Sequence, residues 1–326
     1  MENIAVAQTM NKDNLIKGII KSHTFILLII LTCVMIIGSI FVPALIQKDN
    51  LLNVLRSASI VGLVAIGSTL VLLVGEIDLS VGAIMSVSLV TGGLLVGYGS
   101  GAALVGTFLT GMVLGIINGV FVTKLKINSL MVTLGTMSVF GGLANVITSG
   151  QSIFLYESPF YLWLGRGYVA GIPVPVIIFI FVGIVLSLLL KFTKTGKEVY
   201  FTGANKKAAW ISGININKIK LIAYAVAGFT AALAGPLLSS QTNRITPIQG
   251  TGFELSAIAV AVLGGTSLAG GKGTISGTIL GALTFQLLLN ILTLSGIGTY
   301  MEQVLKGLLL ILIVVFYQFI DKPRTN

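Results

Sequence analysis

The sequence predicts an all-α membrane protein with about ten transmembrane helices, and three observations carry that prediction. Hydrophobic residues make up 55% of the 326-residue chain. Charged residues make up 9%, against about 25% in an ordinary soluble domain. The mean hydropathy is +1.02, and the apolar residues fall in long runs suited to bilayer helices of about 20 residues. A membrane barrel would show short alternating segments instead. Such a composition excludes an ordinary soluble enzyme, a disordered chain and a disulfide scaffold. The lone Cys33 offers neither a disulfide nor a cysteine metal site.

Residues 1–23 read as a polar, basic cytoplasmic segment, 24–320 as one transmembrane domain, and 321–326 as a short cytoplasmic tail. The first apolar run, about 24–46, is too long for a cleaved signal and reads as an anchor. Further spans follow at about 52–74, 80–97, 102–123 and 128–149. A loop at 150–173 carries Tyr156, Phe160, Tyr161, Trp163 and Tyr168, which suit either a membrane-interface belt or a docking surface. Span six is about 174–190, and the longest polar stretch, about 191–220, follows it. The last four spans are about 221–240, 254–268, 274–294 and 301–320.

The net charge of +10 is explained by topology rather than by nucleic acid. With the N-terminus inside and ten spans, fifteen basic residues fall on cytoplasmic segments, including Lys12, Lys124, Lys191, Lys206, Lys220, Lys272 and Arg324. Lys48, Arg166 and Arg244 fall outside. That asymmetry places both ends in the cytoplasm.

Glycines mark expected helix contacts. Gly111, Gly115 and Gly119 stand four apart in span four, and Gly273, Gly277 and Gly281 do the same at the start of span nine. Ladders of this kind let helix backbones approach closely. Asp78-Leu79-Ser80 and Glu254-Leu255-Ser256 open spans three and eight, which run in opposite directions in this topology. That is the course an inverted repeat requires.

Few residues could carry chemistry. No acid lies at the centre of a span, so the costly midplane charge of an ion-coupled transporter is missing. His23 is the only histidine, so neither a Ser-His-Asp set nor a catalytic metal site can be assembled, and no catalytic residue is expected. The stretch from Gly264 to Thr274 fails the phosphate-loop template, with Thr266 where a glycine is needed and Gly273 after Lys272. Asp78, Ser80, Glu254 and Ser256 suit helix capping and also suit polar positions along a translocation path. Asn290, inside span nine, suits an interhelical bond or a substrate contact.

In the polar stretch, Asn205 is a favoured N-cap, and Lys206, Lys207, Ala208, Ala209, Trp210, Ile211 and Ser212 read as about two helical turns. Gly213 supplies the left-handed stop. Two turns are unstable alone in water. Trp210 and Ile211 must therefore fold back on the protein's own face or dock on a partner.

Three segments carry a family resemblance. Gly75-Glu76-Ile77-Asp78-Leu79-Ser80-Val81-Gly82 resembles the Gly-Gly-Ile-Asp-Leu-Ser-Val-Gly segment of ribose-type monosaccharide ABC-importer permeases. The stretch from Ser212 to Lys220 is similar to that family's loop after span six, and Val262 to Gly273 is the most specific match. Glu76 stands where the family usually has glycine, and Gly203-Ala204-Asn205 replaces Gly-Gly-Asn. The resemblance implies a cobalamin-importer-like permease fold in a bacterial plasma membrane. It implies a second permease copy, a cytoplasmic ATP-binding subunit that uses ATP and Mg, and an extracytoplasmic sugar-binding protein. This chain would bind no cofactor itself. The resemblance also favours Gly203 and Asn205 to Gly213 as the ATPase-coupling element. Neutral cargo agrees with the missing midplane charge. The rival reading is a stand-alone secondary transporter or facilitator of a small polar solute.

Overall fold

The computed structural model describes residues 23–155 and 158–320. Residues 1–22 and 321–326 of the expected terminal segments, and Tyr156 of the aromatic loop, lie outside the described residues. The helices are α1 (His23–Phe41), α2 (Lys48–Leu73), α3 (Val81–Leu94), α4 (Ser100–Thr123), α5 (Ser129–Thr148), α6 (Pro159–Arg166) and α7 (Val174–Phe192). They continue with α8 (Lys194–Ala204), α9 (Lys206–Ile211), α10 (Ile216–Thr242), α11 (Phe253–Leu263), α12 (Ile275–Leu294) and α13 (Thr299–Ile320). Four two-residue strands, β1 (Ile153–Phe154), β2 (Tyr168–Val169), β3 (Ile172–Pro173) and β4 (Arg244–Ile245), pair antiparallel as β1 with β4 and β2 with β3.

Among the described residues, seven helices, α1, α2, α4, α5, α7, α10 and α12, are long and apolar enough to cross a bilayer. The other three expected spans also fall on helices, and two of them are short. At 14 and 11 residues, α3 and α11 extend roughly 21 and 17 Å at 1.5 Å per residue, short of a hydrocarbon core of about 30 Å. The last, α13, is 22 residues long, and the apolar stretch found among its described residues is Gln303–Leu312. The expected boundaries ran too long at spans three and eight because apolar loop residues next to a short helix look the same as helix in composition.

Burial orders the bundle. In α2, 83% of the most apolar stretch is buried, against 11% in α1. So α2 is the central helix, and α1 is peripheral. The first glycine ladder does what its spacing predicts. A Cβ on Gly111 would meet Gly228 and Ala232 of α10, one on Gly115 would run into the Tyr224 carbonyl, and one on Gly119 would meet Leu221 and Tyr224. Gly277 and Gly281 likewise sit against Gly264 and Val260 at the end of α11. Gly273 departs from the expected ladder. It precedes α12, with φ +148°, and lies against Thr266 in the connecting turn. Thr274 caps α12 by accepting a bond from the Gly277 N–H at 3.0 Å, which is why the helix begins there.

The two short helices run in opposite directions. The segment leading into α3 starts at Gly75, beside Gly203 and the Ala269 carbonyl, and α3 ends near Gly93, beside Ile153 and Ile245. The chain into α11 starts at that second end, in β4, and the turn after α11 returns Gly270 to Gly75. In each case non-helical backbone covers the first part of the distance between the two ends and the short helix covers the rest. This is the opposed course that the inverted-repeat expectation requires.

Candidate functional site

The site begins at the end of the bundle where the lysines gather. As the sequence predicts, Asn205 caps α9, its side chain accepting from the Ala208 N–H at 2.9 Å. Gly213 stops the helix at φ +78°. Backbone bonds from Ser212 to Ala208 and from Ile214 to Ala209 close its end. Ala209 is buried against the bundle, while Trp210 and Ile211 are 72% and 69% exposed. The fold-back alternative therefore fails. The apolar tip of α9 points away from its own protein, with Lys207, Ala208 and Ser212 also exposed. Gly203 is not part of that outward face. It lies tight against the Leu73 carbonyl and Gly271, where the Gly271 N–H donates to Leu73 at 2.9 Å.

Lys206 faces inward to an acid that the sequence reading noted only as a departure. Its Nζ lies 3.1 Å from Glu76 Oε1, and Lys220 Nζ lies 2.6 Å from the same oxygen. Burial opposes ionisation of Glu76. Hydrogen bonds from Lys220 and Ser129, with the charges of Lys220 and Lys206, outweigh it and hold the carboxyl below the usual carboxylate range.

From Glu76 the chain runs into α3 through a fully enclosed polar cluster. Asp78 Oδ1 accepts from the Ser80 N–H at 2.8 Å and the Ser80 hydroxyl at 2.6 Å. Asn118 of α4 donates to Ser80 Oγ at 2.7 Å. Asp78, Ser80 and Asn118 are all buried. Their bonds hold the start of α3 on α4. No side chain caps an N–H of α3 itself; Asp78 Oδ1 is taken up by the turn before the helix, whereas Oδ2 has no hydrogen-bond partner among the described residues.

The beginnings of α3 and α11 meet. A Cβ on Gly82 would strike the Gly250 carbonyl and Glu254 Oε2, and the Gly250 N–H donates to Ser86 Oγ at 2.9 Å. Glu254 is buried and accepts from the Gly252 N–H at 3.0 Å. So Glu254 folds back on the turn before α11, as capping predicts. Ser256 donates to the Gly252 carbonyl at 3.0 Å and is half-buried.

Beside this junction lies a cavity of about 500 Å³. Irregular backbone at membrane depth is tolerated where protein covers it or where it lines such a cavity. Thr251, Gly252 and Phe253 form one wall, with Ser256 on the next turn. Ser57 of α2, Gln241 of α10, Gln286 of α12, and Gln303 and Lys306 of α13 add polar groups, while Ile60, Phe285 and Leu289 are among the apolar ones. Amides and hydroxyls over an apolar floor suit a neutral, hydroxyl-rich solute.

Of the five expected path residues, only Ser256 reaches the cavity. Asn290 exchanges two amide bonds of 2.9 Å with Asn50, which is the interhelical reading. Sequence reasoning missed Gln286 and Gln303, although each is an amide inside an expected span, the signal that singled out Asn290. Gln241 stood one residue beyond the boundary drawn for span seven. Among the described residues no cluster of acids, histidines or cysteines could hold a metal.

Residues 50–314 match the family described as branched-chain amino acid transport system / permease component. The chain belongs to that permease family. The ribose import permease protein RbsC of Haemophilus influenzae is 39% identical over 311 residues, covering 94% of this chain and 95% of its own length. RbsC of Bacillus subtilis is 42% identical, over 86% of this chain and 88% of its own. The D-allose transport system permease protein AlsC of Escherichia coli is 34% identical over 93% of each. Among solved structures, a metal-chelate type ABC transporter in an inward-facing conformation matches 90% of this chain and 98% of its own. The TM-score is 0.57 at 14% identity, a likeness that concerns the fold alone. Membership of the permease family agrees with the multi-pass architecture.

Proposed function

We propose that this chain is the membrane-spanning subunit of an ATP-driven importer for a neutral monosaccharide, ribose or a close relative. One observation carries the reading. Two relatives at 39% and 42% identity over most of both chains are ribose import permeases, and the cavity offers this chain the amides and hydroxyls that a sugar needs. A separate cytoplasmic subunit binds ATP and Mg and hydrolyses ATP; this chain binds neither and is no enzyme. An extracytoplasmic protein delivers the sugar, and a second permease copy completes the pore. Both termini lie in the cytoplasm, so the lysine-rich end with α9 faces the ATPase. There Trp210 and Ile211 dock in the ATPase, and the segment from Asn205 to Gly213 couples its movement to the pore. Exposed apolar side chains on a capped helix favour this over a stand-alone facilitator, which would leave them in water.

Uptake by proteoliposomes containing all the subunits tests the cargo. Labelled ribose should be accumulated and should be competed by neutral pentoses or hexoses far better than by a sugar acid. Gln286→Leu should raise the KM for the sugar several-fold with normal membrane insertion. Accumulation of a sugar acid in preference to every neutral sugar would overturn the assignment.

A further inference from the structure

The Glu76 carboxylate joins the lysine-rich end to the start of α3. Its side chain is 9% exposed, and one oxygen, Oε1, takes both lysines. Lys206 is the first residue of α9, and Lys220 lies in the second turn of α10. The two lysines therefore bracket α9 and the loop behind it, and a single acid clamps them. Gly75, at φ +73°, turns the chain so that Glu76 begins the segment into α3.

Contacts continue without a gap from there. The Ile77 N–H donates to Ser129 at 3.4 Å, and its carbonyl accepts from the Tyr224 hydroxyl at 3.4 Å. Asp78, Ser80 and Asn118 fix the next turn. Gly82 and Ser86 then bear on Gly250, and Thr251 and Gly252 are the cavity wall.

We infer that Glu76 is a positioning residue that ties α9 to the start of α3, so that displacement of α9 shifts the Gly82–Gly250 contact and the cavity wall. The inference rests on the coupling role proposed for α9. Its physical basis is charge. One buried carboxylate offsets two ammonium groups, so neutralising it leaves two like charges in one place and opens the clamp. Removing Lys206 as well relieves that repulsion, so the two changes should not act independently.

The test is a double-mutant cycle on the complete complex of permease, ATP-binding subunit and binding protein in a bilayer. The readout is ATP hydrolysis with sugar-loaded binding protein divided by hydrolysis without it. Glu76→Gln should lower this ratio about fivefold or more, with unchanged basal hydrolysis and assembly. Lys206→Met should lower it too, and adding Lys206→Met to Glu76→Gln should cost nothing further. If Glu76→Gln fails to assemble, Lys206→Met alone carries the test, because Lys206 is half exposed. A wild-type ratio in that variant then overturns the inference. A wild-type ratio in Glu76→Gln, or losses that multiply in the double variant, overturns it as well. A wild-type complex with no stimulation at all overturns the importer reading and this inference together.

Discussion

Asn50 and Asn290, 240 positions apart, exchange a pair of amide hydrogen bonds, each 2.9 Å long. Each side chain gives its Nδ2 to the other's Oδ1, and Asn50 also donates to the Leu45 carbonyl at 3.0 Å. The pair fastens α2 to α12 and turns Asn290 away from any solute. Asn290→Leu should therefore destabilise the protein, by about 1 kcal/mol on the scale of interhelical bonds in membranes. Its melting point in detergent should fall while the KM for the sugar stays at the wild-type value. A raised KM with an unchanged melting point would return Asn290 to the transport path.

The close approach of α4 to α10 predicts a contrast between two glycines. A Cβ on Gly115 would enter the Tyr224 carbonyl, whereas one on Gly135 of α5 would meet nothing within 4 Å. Gly115→Leu should cost about 1–3 kcal/mol through overpacking. Gly135→Ala should be neutral or gain up to about 1 kcal/mol from helix propensity. Thermal unfolding of the two variants in the same detergent checks this. Equal melting points would mean that α4 and α10 are not in contact.

Charge placed on the outer face of α9 should uncouple the transporter. Ala208 is exposed and Ala209 buried, so Ala208→Asp alters the docking face without disturbing the inner one. That variant should insert normally and bind the ATP-binding subunit at least tenfold more weakly, a loss of about 1.4 kcal/mol. Co-purification at graded ATPase concentrations measures it, and wild-type binding would make α9 a mere tether.

The Glu76 clamp has a defined pH window. Lys206, Lys220 and Ser129 face the carboxylate and hold its pKa below the usual value. Its contribution to stability is complete above the ordinary glutamate pKa of about 4.3 and is lost as pH falls through the lower folded value. The melting-point difference between wild type and Glu76→Gln should therefore be constant from about pH 6 to 8. It should shrink only in more acidic solution. A difference that disappears between pH 8 and 6 would mean that Glu76 titrates near neutrality and is not clamped by the lysines.

Much of this fold could be read in the sequence because bilayer crossing imposes length and apolarity on each helix. The same logic failed at α3 and α11. A half-crossing helix with apolar loop residues beside it has the composition of a full one, and only the contact of Gly82 with Gly250 reveals the breaks. Local chemistry read well. The Asn205 cap, the Gly213 stop and the ladder at Gly111, Gly115 and Gly119 depend on neighbours or on regular spacing. The cavity did not read well, because Ser57, Gln241, Gln286 and Gln303 come from four helices that only tertiary packing brings together. The lysine partners of Glu76 were hidden for the same reason, being 130 positions away and more.

The most direct measurement is sugar accumulation by proteoliposomes with ATP enclosed, compared between the complete complex and this chain alone. The complete complex should concentrate ribose or a related neutral sugar, and should stop doing so when ATP is replaced by a non-hydrolysable analogue. This chain alone should accumulate none. Concentrative uptake by the chain alone, or uptake by the complex that is indifferent to ATP hydrolysis, would contradict the account.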